Sequence, residues 1–296
     1  MRNYLLLVVS ICSGVLGESV KNHFAKGILQ TRSDTAVFNL ISSSVAAVIM
    51  ALNGGAVRVS SFTFCLSLLF GLFIAGQLIL STELYRRGPM SLGALINLCG
   101  MLIPTLAGSL LWHERVSAFQ IIGIVLMLGA MALVMNPRID RSITVSWTIL
   151  AFSTFCLNGM LGLTQQVLNR SAFAGEKPGF LFYSFLTTIA ISAVYLLLMR
   201  GAFKKEAVTF RVIGPVGLVA CVFGITSAAQ HILNLLLVSV LPSAVFFPLC
   251  NGSRIILLGL VGALIFRETL SRRQRIGFLL GLFAAMLVAG VLDALF

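Results

Sequence analysis

The sequence LLWHERVSAFQIIG, residues 110–123, occurs a second time as LIFRETLSRRQRIG, residues 264–277. The likeness extends without a gap over residues 97–134 and 251–288, where 14 of the 38 aligned positions are identical. Shared apolar composition alone would give only a handful of identities. The repeat therefore predicts a chain built by duplication of one structural unit.

The balance of residues is typical of a membrane protein. Of the 296 residues, 58% are hydrophobic and only 10% are charged, so a soluble domain of this composition would have a largely apolar surface. Long apolar stretches alternate with short clusters of Arg, Lys, Pro or Gly, which indicates a helical chain that crosses the bilayer repeatedly. Ten apolar segments are predicted, at residues 4–24, 35–52, 61–82, 89–111, 117–135, 145–168, 179–199, 211–237, 242–266 and 273–295.

Five segments in each copy have a geometric consequence. After an odd number of crossings the second copy starts on the opposite face of the membrane, so the two copies are predicted to be inverted. The expected fold is an all-α integral membrane protein with ten transmembrane helices, arranged as two inverted five-helix repeats at residues 1–135 and 145–296. Residues 136–144 form a polar linker that contains the helix-stopping Pro137. A substrate site is expected near the membrane midplane.

The net charge of +12 is spread over short connections. Because it forms no long basic patch with interleaved aromatic residues, no nucleic-acid partner is predicted. The connections that follow odd-numbered segments, together with the adjoining ends of those segments, hold 15 of the 21 Lys and Arg residues. The positive-inside rule then places both termini outside the cytoplasm.

Motifs for other chemistries are missing from the sequence. It contains no His-Glu-x-x-His, no Gly-x-Ser-x-Gly and no phosphate loop, so neither an enzyme nor an ATP-driven pump is predicted. The cysteines lie singly within apolar segments and form no ligand-spaced group with the histidines. We therefore expect no metal site, no cofactor and no disulfide framework.

The repeated segment also resembles a known family. An apolar helix that ends in Glu114 or Glu268, a short turn, and Gln-x-x-Gly at the start of the next helix resemble the EamA repeat of the drug/metabolite transporter superfamily. With two copies and ten segments, the chain is similar to the ten-helix branch over essentially its whole length. The resemblance implies a transporter of amino acids, nucleosides, sugars, choline-like cations or drugs. It also implies termini in the cytoplasm, so both orientations stay open.

Two charged residues lie inside apolar segments, where each costs several kcal/mol (about 2.5–3.5 on insertion scales) unless it is paired or faces water. Glu18 lies about 21 Å and Arg254 about 18 Å along its predicted helix, at 1.5 Å per residue. Both helices start on the same face, so the pair is predicted to recognise a zwitterion or to exchange a coupling proton. The alternatives are a static ion pair, or a local pair between Glu18 and Lys21.

Polar residues recur at membrane depth in both copies. Asn97 aligns with Asn251. A second match, between residues 70–89 and 223–242, is identical at 8 of 20 positions and aligns Gln77 with Gln230 and Gly71 with Gly224. The four amides are predicted to line a binding cavity or, alternatively, to form interhelical hydrogen bonds. Three further candidates break the repeat symmetry and could tune selectivity or, for the histidine, carry a proton; the alternative for each is a structural role in the core. They are Asn158, His231 and Asn234.

Other repeated residues are expected to be structural. Glu114 and Glu268 are predicted to anchor a loop or to cap the following helix. Gly277 and Gly281 allow close helix packing, within the fold or in a homodimer, so a monomer and a homodimer are both compatible with the sequence.

These patterns predict a secondary transporter, in a bacterial cytoplasmic membrane, that works by alternating access. Its partners would be a small polar metabolite, an amino-acid-like compound or an amphipathic cation, together with membrane lipid and a coupling proton. The alternative is a non-transport accessory or scaffold subunit that handles lipid-linked carriers.

Overall fold

Helices account for nearly all of the chain that the structure, a computed structural model, describes: residues 2–28, 32–87, 96–97, 99–135, 144–202, 210–264 and 271–288. No β-strand occurs in these ranges. The α-helices found there are α1 (Arg2–Ile28), α2 (Arg32–Met50), α3 (Ser61–Arg87), α4 (Leu102–Trp112), α5 (Ala118–Met135), α6 (Val145–Arg170), α7 (Lys177–Ala202), α8 (Phe210–Leu237), α9 (Ser243–Leu264) and α10 (Arg272–Val288).

Each of these helices coincides with a predicted apolar segment, so the all-α prediction is confirmed. The largest difference concerns the fourth segment. It was predicted at residues 89–111, whereas α4 comprises Leu102–Trp112, and residues 89–95 and 98 lie outside the described ranges. Most of the linker, residues 136–143, also lies outside them.

Six helices are long and apolar enough to cross a membrane: α1, α2, α3, α6, α7 and α8. Three others, α4, α5 and α9, contain shorter apolar stretches in the described part of the chain. The outward faces of α4, α5 and α10 are apolar as well, since Leu110 is 71% exposed, Val125 63% and Leu279 71%. Such faces suit contact with lipid better than contact with water.

The repeated Ser-x-x-Gln sequence begins two helices in the same way. The Ser117 backbone N–H donates to Gln120 Oε1 at 3.0 Å, and the Gln120 N–H donates to Ser117 Oγ at 3.1 Å. At the start of α10, the Ser271 N–H donates to Gln274 Oε1 at 2.9 Å and the Gln274 N–H to Ser271 Oγ at 3.3 Å. Each pair satisfies two backbone donors that a helix start leaves without a partner, and is therefore a capping box.

Two turns use left-handed backbone. The residue Gly54, with φ 79°, ends a short π-helix (Ala51–Gly55) that continues α2. Helix α4 ends at Trp112 because His113 adopts φ 51° and ψ 36°, and the next residue, Glu114, donates its N–H to the Gly108 carbonyl at 3.1 Å.

The chain forms two compact units. Unit 1 comprises Met1–Ile11, Leu80–Gln166 and Leu237–Phe296; unit 2 comprises Cys12–Ile79 and Val167–Leu236. In unit 1, α5 packs against α10, and α9 packs against α4, α5 and α10. In unit 2, α2 packs against α7. Each unit therefore contains segments of both sequence copies, and the predicted repeats at residues 1–135 and 145–296 are a different division of the chain that stays a prediction.

Candidate functional site

All nine predicted site residues are half-buried side chains in helical segments. Unit 2 contains Glu18, Gln77, Gln230, His231 and Asn234; unit 1 contains Asn97, Asn158, Asn251 and Arg254. Because Glu18 and Arg254 belong to different units, their predicted pairing stays a prediction.

His231 lies in the aromatic core of unit 2. Its ring meets Phe70 of α3 edge-on at a centroid distance of 5.8 Å, and Phe185 of α7 at 5.5 Å. Both phenylalanines are almost completely buried. Aromatic contacts of this kind fix the orientation of the imidazole, so His231 is placed rigidly whether it acts as a core residue or as a proton carrier.

Polar residues form one face of α8 around His231. Gln230 and Asn234 are four residues apart, and His231 and Asn234 are three apart, which are the spacings of neighbours on a helix surface. The flanking Ala228 and Leu235 are buried against the rest of unit 2. This face thus presents an amide, an imidazole and a second amide within little more than one helical turn.

Two repeat-related glycines bring helices of unit 2 into close contact. A Cβ on Gly71 of α3 would lie 2.6 Å from the Thr187 Cβ of α7, and a Cβ on Gly224 of α8 would lie 2.6 Å from the Ser42 carbonyl oxygen of α2. Thr188 Oγ1 also donates to the Gly71 carbonyl at 3.1 Å. Helix α3 thus contacts α7 at Gly71, and α8 contacts α2 at Gly224, the aligned position of the second copy.

Asn158 of unit 1 forms an interhelical hydrogen bond. Its Nδ2 donates to the Asn97 carbonyl oxygen at 2.9 Å, and that oxygen also accepts the Gly100 N–H at 3.0 Å. The segment before α4 can come this close to α6 because Gly100 and Gly159 carry no side chain. A Cβ on Gly159 would lie 2.8 Å from the Gly100 carbonyl oxygen. The Asn158 amide therefore holds two helical segments together, and its role in selectivity stays a prediction.

Helix α9 presents Asn251 and Arg254 just after an internal proline. Pro248 has no N–H for the helical bond to the residue four positions earlier, so it weakens the helix at this point. Asn251 and Arg254 are three residues apart and share a face. Both are half-buried, whereas the adjacent Cys250 and Ile255 are buried.

A polar cluster of unit 1 contains Glu114, which was expected to anchor a loop or to cap the following helix. Its carboxylate accepts hydrogen bonds from the Ser243 N–H at 2.7 Å and from Ser243 Oγ at 3.0 Å. Glu114 therefore caps α9, and not the following helix α5, which begins with its own capping box. The corresponding Glu268 lies outside the described residues.

Gln166 of α6 completes this cluster. Its Nε2 donates to Ser243 Oγ and, at 2.9 Å, to the Pro104 carbonyl oxygen. The side chain is only 1% exposed. Gln166 was not among the predicted site residues, although it belongs to a Gln-Gln pair inside an apolar segment.

Helix α2 also has a buried polar face that was not predicted. Asp34 lies in its first turn, where a carboxylate complements the positive end of the helix dipole. Further along, Asn39, Ser42 and Ser43 are each at most 3% exposed. Among the described residues no acceptor meets Asn39 Nδ2. A buried amide of this kind is a candidate for contact with a ligand or with water.

Metal chemistry finds no support in the described part of the chain. No group of three or more His, Cys, Asp or Glu side chains lies there in a position to hold a metal ion. The cysteines are all free thiols: Cys12, Cys65, Cys99, Cys156, Cys221 and Cys250.

Comparison with known proteins establishes the fold and nothing finer. No family model matches this chain, and no curated protein matches it. Among solved structures, 29 chains match. One of them, a crystal structure of a protein that is 13% identical in sequence, aligns with a TM-score of 0.72 over 97% of this chain and 98% of its own. At this identity the likeness concerns the fold alone.

Proposed function

We propose that the protein is a secondary transporter that spans a bacterial cytoplasmic membrane and moves a small polar metabolite, an amino-acid-like compound or an amphipathic cation. The observation that carries the proposal is the placement of its polar residues. The nine predicted site residues are polar or charged, and all lie half-buried in helical segments. Ionisable groups at membrane depth are costly and rare, so those that occur commonly mark a substrate or proton pathway.

The paired glycine contacts support the inverted-repeat arrangement. A two-fold axis in the membrane plane would exchange the third helix with the eighth and the second with the seventh. It would thereby convert the contact of Gly71 with α7 into that of Gly224 with α2, and both contacts occur. Inverted repeats are the common architecture of carriers that work by alternating access.

The proposed chemistry assigns different tasks to the two charges. Arg254 would hold a carboxylate or another acceptor of the substrate, since a guanidinium offers several donors in fixed geometry. Glu18 would bind an amine or a coupling proton. The amides of Gln77, Gln230 and Asn251, and the buried amide of Asn39, would supply hydrogen bonds that orient the substrate.

The test begins with identification of a ligand. Purified protein in detergent is screened for thermal stabilisation by a panel of amino acids, nucleosides, sugars and quaternary amines, and compounds that stabilise it are assayed for uptake into proteoliposomes. We expect Glu18→Gln, Arg254→Gln and Asn39→Ala each to reduce uptake at least tenfold. Glu83→Gln is the matched control, because Glu83 forms a surface pair with Arg87, 2.6 Å away on the same helix.

Normal uptake in both Glu18→Gln and Arg254→Gln would refute the site assignment. A panel without any stabilising compound, together with no uptake, would contradict transport itself and would favour an accessory subunit that handles lipid-linked carriers.

A further inference from the structure

A groove at the start of α3 combines a cation with apolar walls. It has a volume of about 310 Å³ and is lined by Arg58, Val59, Ser61, Phe64, Cys65 and Tyr183, all of unit 2. We refer to it as the Arg58 groove. Its volume is at the lower end of the range for small-molecule sites, about 300–1,000 Å³, so it suits a compact headgroup better than a large ligand.

The loop that presents Arg58 is fixed on both sides. Before it, Tyr183 donates its hydroxyl to the Val57 carbonyl at 3.2 Å. After it, the Glu176 carboxylate accepts the Ser60 N–H at 3.0 Å and Ser60 Oγ at 2.8 Å. Preorganisation of this kind lowers the entropic cost of binding.

Arg58 itself is exposed, and it forms no hydrogen bond or ion pair with any residue in the described ranges. The nearby acidic group that would compete with an anion is Glu176. Its oxygens are directed at Ser60, at the N-terminal end of α3, where the helix dipole favours a negative charge. The guanidinium therefore remains available for an anionic group from outside the chain.

An exposed apolar stripe of α3 adjoins the Arg58 groove. Phe64, Leu68 and Leu72 follow each other at intervals of four residues along α3 and are 42%, 41% and 50% exposed. This apolar stripe extends about 12 Å from the groove, at 1.5 Å per residue. Tyr183 closes the other side and meets Phe64 edge-on at 5.5 Å, an amphipathic ring of the type found at membrane interfaces.

From this arrangement we infer a specific site for an anionic phospholipid. Its phosphate contacts the Arg58 guanidinium and the Ser61 hydroxyl, and one acyl chain lies along Phe64, Leu68 and Leu72. The inference rests on the membrane location proposed above and not on transport. Charge selects the headgroup and the stripe binds the chain, so a zwitterionic lipid of equal chain length binds more weakly.

The first experiment measures lipid selectivity by native mass spectrometry of the full chain in detergent. Phosphatidylglycerol and phosphatidylcholine with identical acyl chains are offered in competition. We expect the anionic lipid to bind about fivefold more tightly, the contribution of one basic side chain near an anionic headgroup. Arg58→Gln abolishes this preference, and Arg58→Lys retains most of it.

Arg87→Gln is the matched control, because Arg87 is already held by Glu83 and donates to Ser146 Oγ at 3.0 Å. The preference is expected to survive in this variant. Equal binding of the two lipids by the unaltered protein, or a preference that persists in Arg58→Gln, would overturn the inference.

A second experiment localises the site. Cys65 lines the groove and is exposed, whereas Cys12 is exposed elsewhere, on α1. Phosphatidylglycerol should slow the alkylation of Cys65 by N-ethylmaleimide at least threefold in the unaltered protein but not in Arg58→Gln, and should leave Cys12 unchanged. Equal protection of both thiols would mean nonspecific lipid coating. Protection by inorganic phosphate alone would assign the groove to a soluble anion; either result contradicts the inference.

The two proposals fail separately. Lipid selectivity is measured without any transported substrate, so an inactive carrier can still show it. Conversely, uptake that survives in Arg58→Gln leaves the transport proposal intact.

Discussion

Removal of the Glu114 carboxylate should destabilise unit 1 through the start of a distant helix. Helix α9 begins at Ser243, whose backbone N–H and hydroxyl both donate to Glu114, 2.7 and 3.0 Å away. In Glu114→Ala, these two donors lose a charged acceptor at a position where little water can replace it, because Gly108 and Gln166 pack against the same cluster.

The loss in the free energy of unfolding distinguishes a helix cap from an ordinary interhelical hydrogen bond. Hydrogen bonds inside membrane proteins are worth about 0.6 kcal/mol on average. A bond to a charged group is worth about 1.5–3 kcal/mol, and the loss of a helix cap costs about 0.5–2 kcal/mol. We therefore expect Glu114→Ala to lower the free energy of unfolding by about 2–3 kcal/mol, and Glu114→Gln, which keeps one acceptor oxygen, by about 1 kcal/mol.

The assay is equilibrium unfolding of the purified protein in mixed detergent micelles, with the same measurement on Glu83→Ala. Glu83 forms an exposed pair with Arg87 one turn away, for which about 0.3–0.5 kcal/mol is expected. A double-mutant cycle with Ser243→Ala then isolates the hydroxyl bond, with a coupling energy of about 1 kcal/mol expected. If Glu114→Ala costs no more than Glu83→Ala, the carboxylate does not cap α9. If the cycle shows no coupling, the hydroxyl bond contributes nothing to the cap.

Two further predictions concern packing and backbone strain. On α8, Gly224→Ala should lower the free energy of unfolding by about 1–3 kcal/mol, because its Cβ would lie 2.6 Å from the Ser42 carbonyl oxygen. Gly71→Ala on α3 should lower it by a similar amount. In Gly217→Ala no atom lies within 4 Å of the new Cβ, so this variant should be neutral or more stable by about 0.5–1 kcal/mol. Equal effects at Gly217 and Gly224 in thermal melts would contradict the close helix contact. His113→Gly should raise the melting temperature, corresponding to about 1 kcal/mol, since His113 has φ 51° and glycine adopts left-handed backbone without strain; an unchanged or lower melting temperature would count against that strain.

Much of the fold was predictable from the sequence because most of the helices are long and apolar. Long apolar stretches, interrupted by short clusters of Arg, Lys, Pro or Gly, located the α-helices of the described residues to within a few positions at most ends. The Ser-x-x-Gln repeat could be recognised as a helix start because a capping box is a local interaction between residues three positions apart. The starts of α5 and α10 therefore required no tertiary information.

The partners of site residues were less predictable, because they depend on which helices pack together. Glu114 caps α9, more than a hundred residues further along the chain, and no local pattern indicates that contact. Gln166 and Asn39 were missed for a related reason. A single amide in an apolar segment looks the same in sequence whether its polar atoms are exposed or buried, and only the packing of α2 and α6 shows that both are buried.

The repeat also separates structural roles from candidate functional ones. Identical pairs such as Gly71 with Gly224, and Ser117 with Ser271, have packing or capping roles in both copies, because a duplicated fold needs the same contacts twice. A substrate without two-fold symmetry needs the opposite, namely different groups at equivalent positions. Arg254 occupies the position at which the first copy has Gly100, a residue with no room for a side chain. The second copy must therefore be packed differently around Arg254, and this local departure from symmetry supports Arg254 as a candidate for substrate contact.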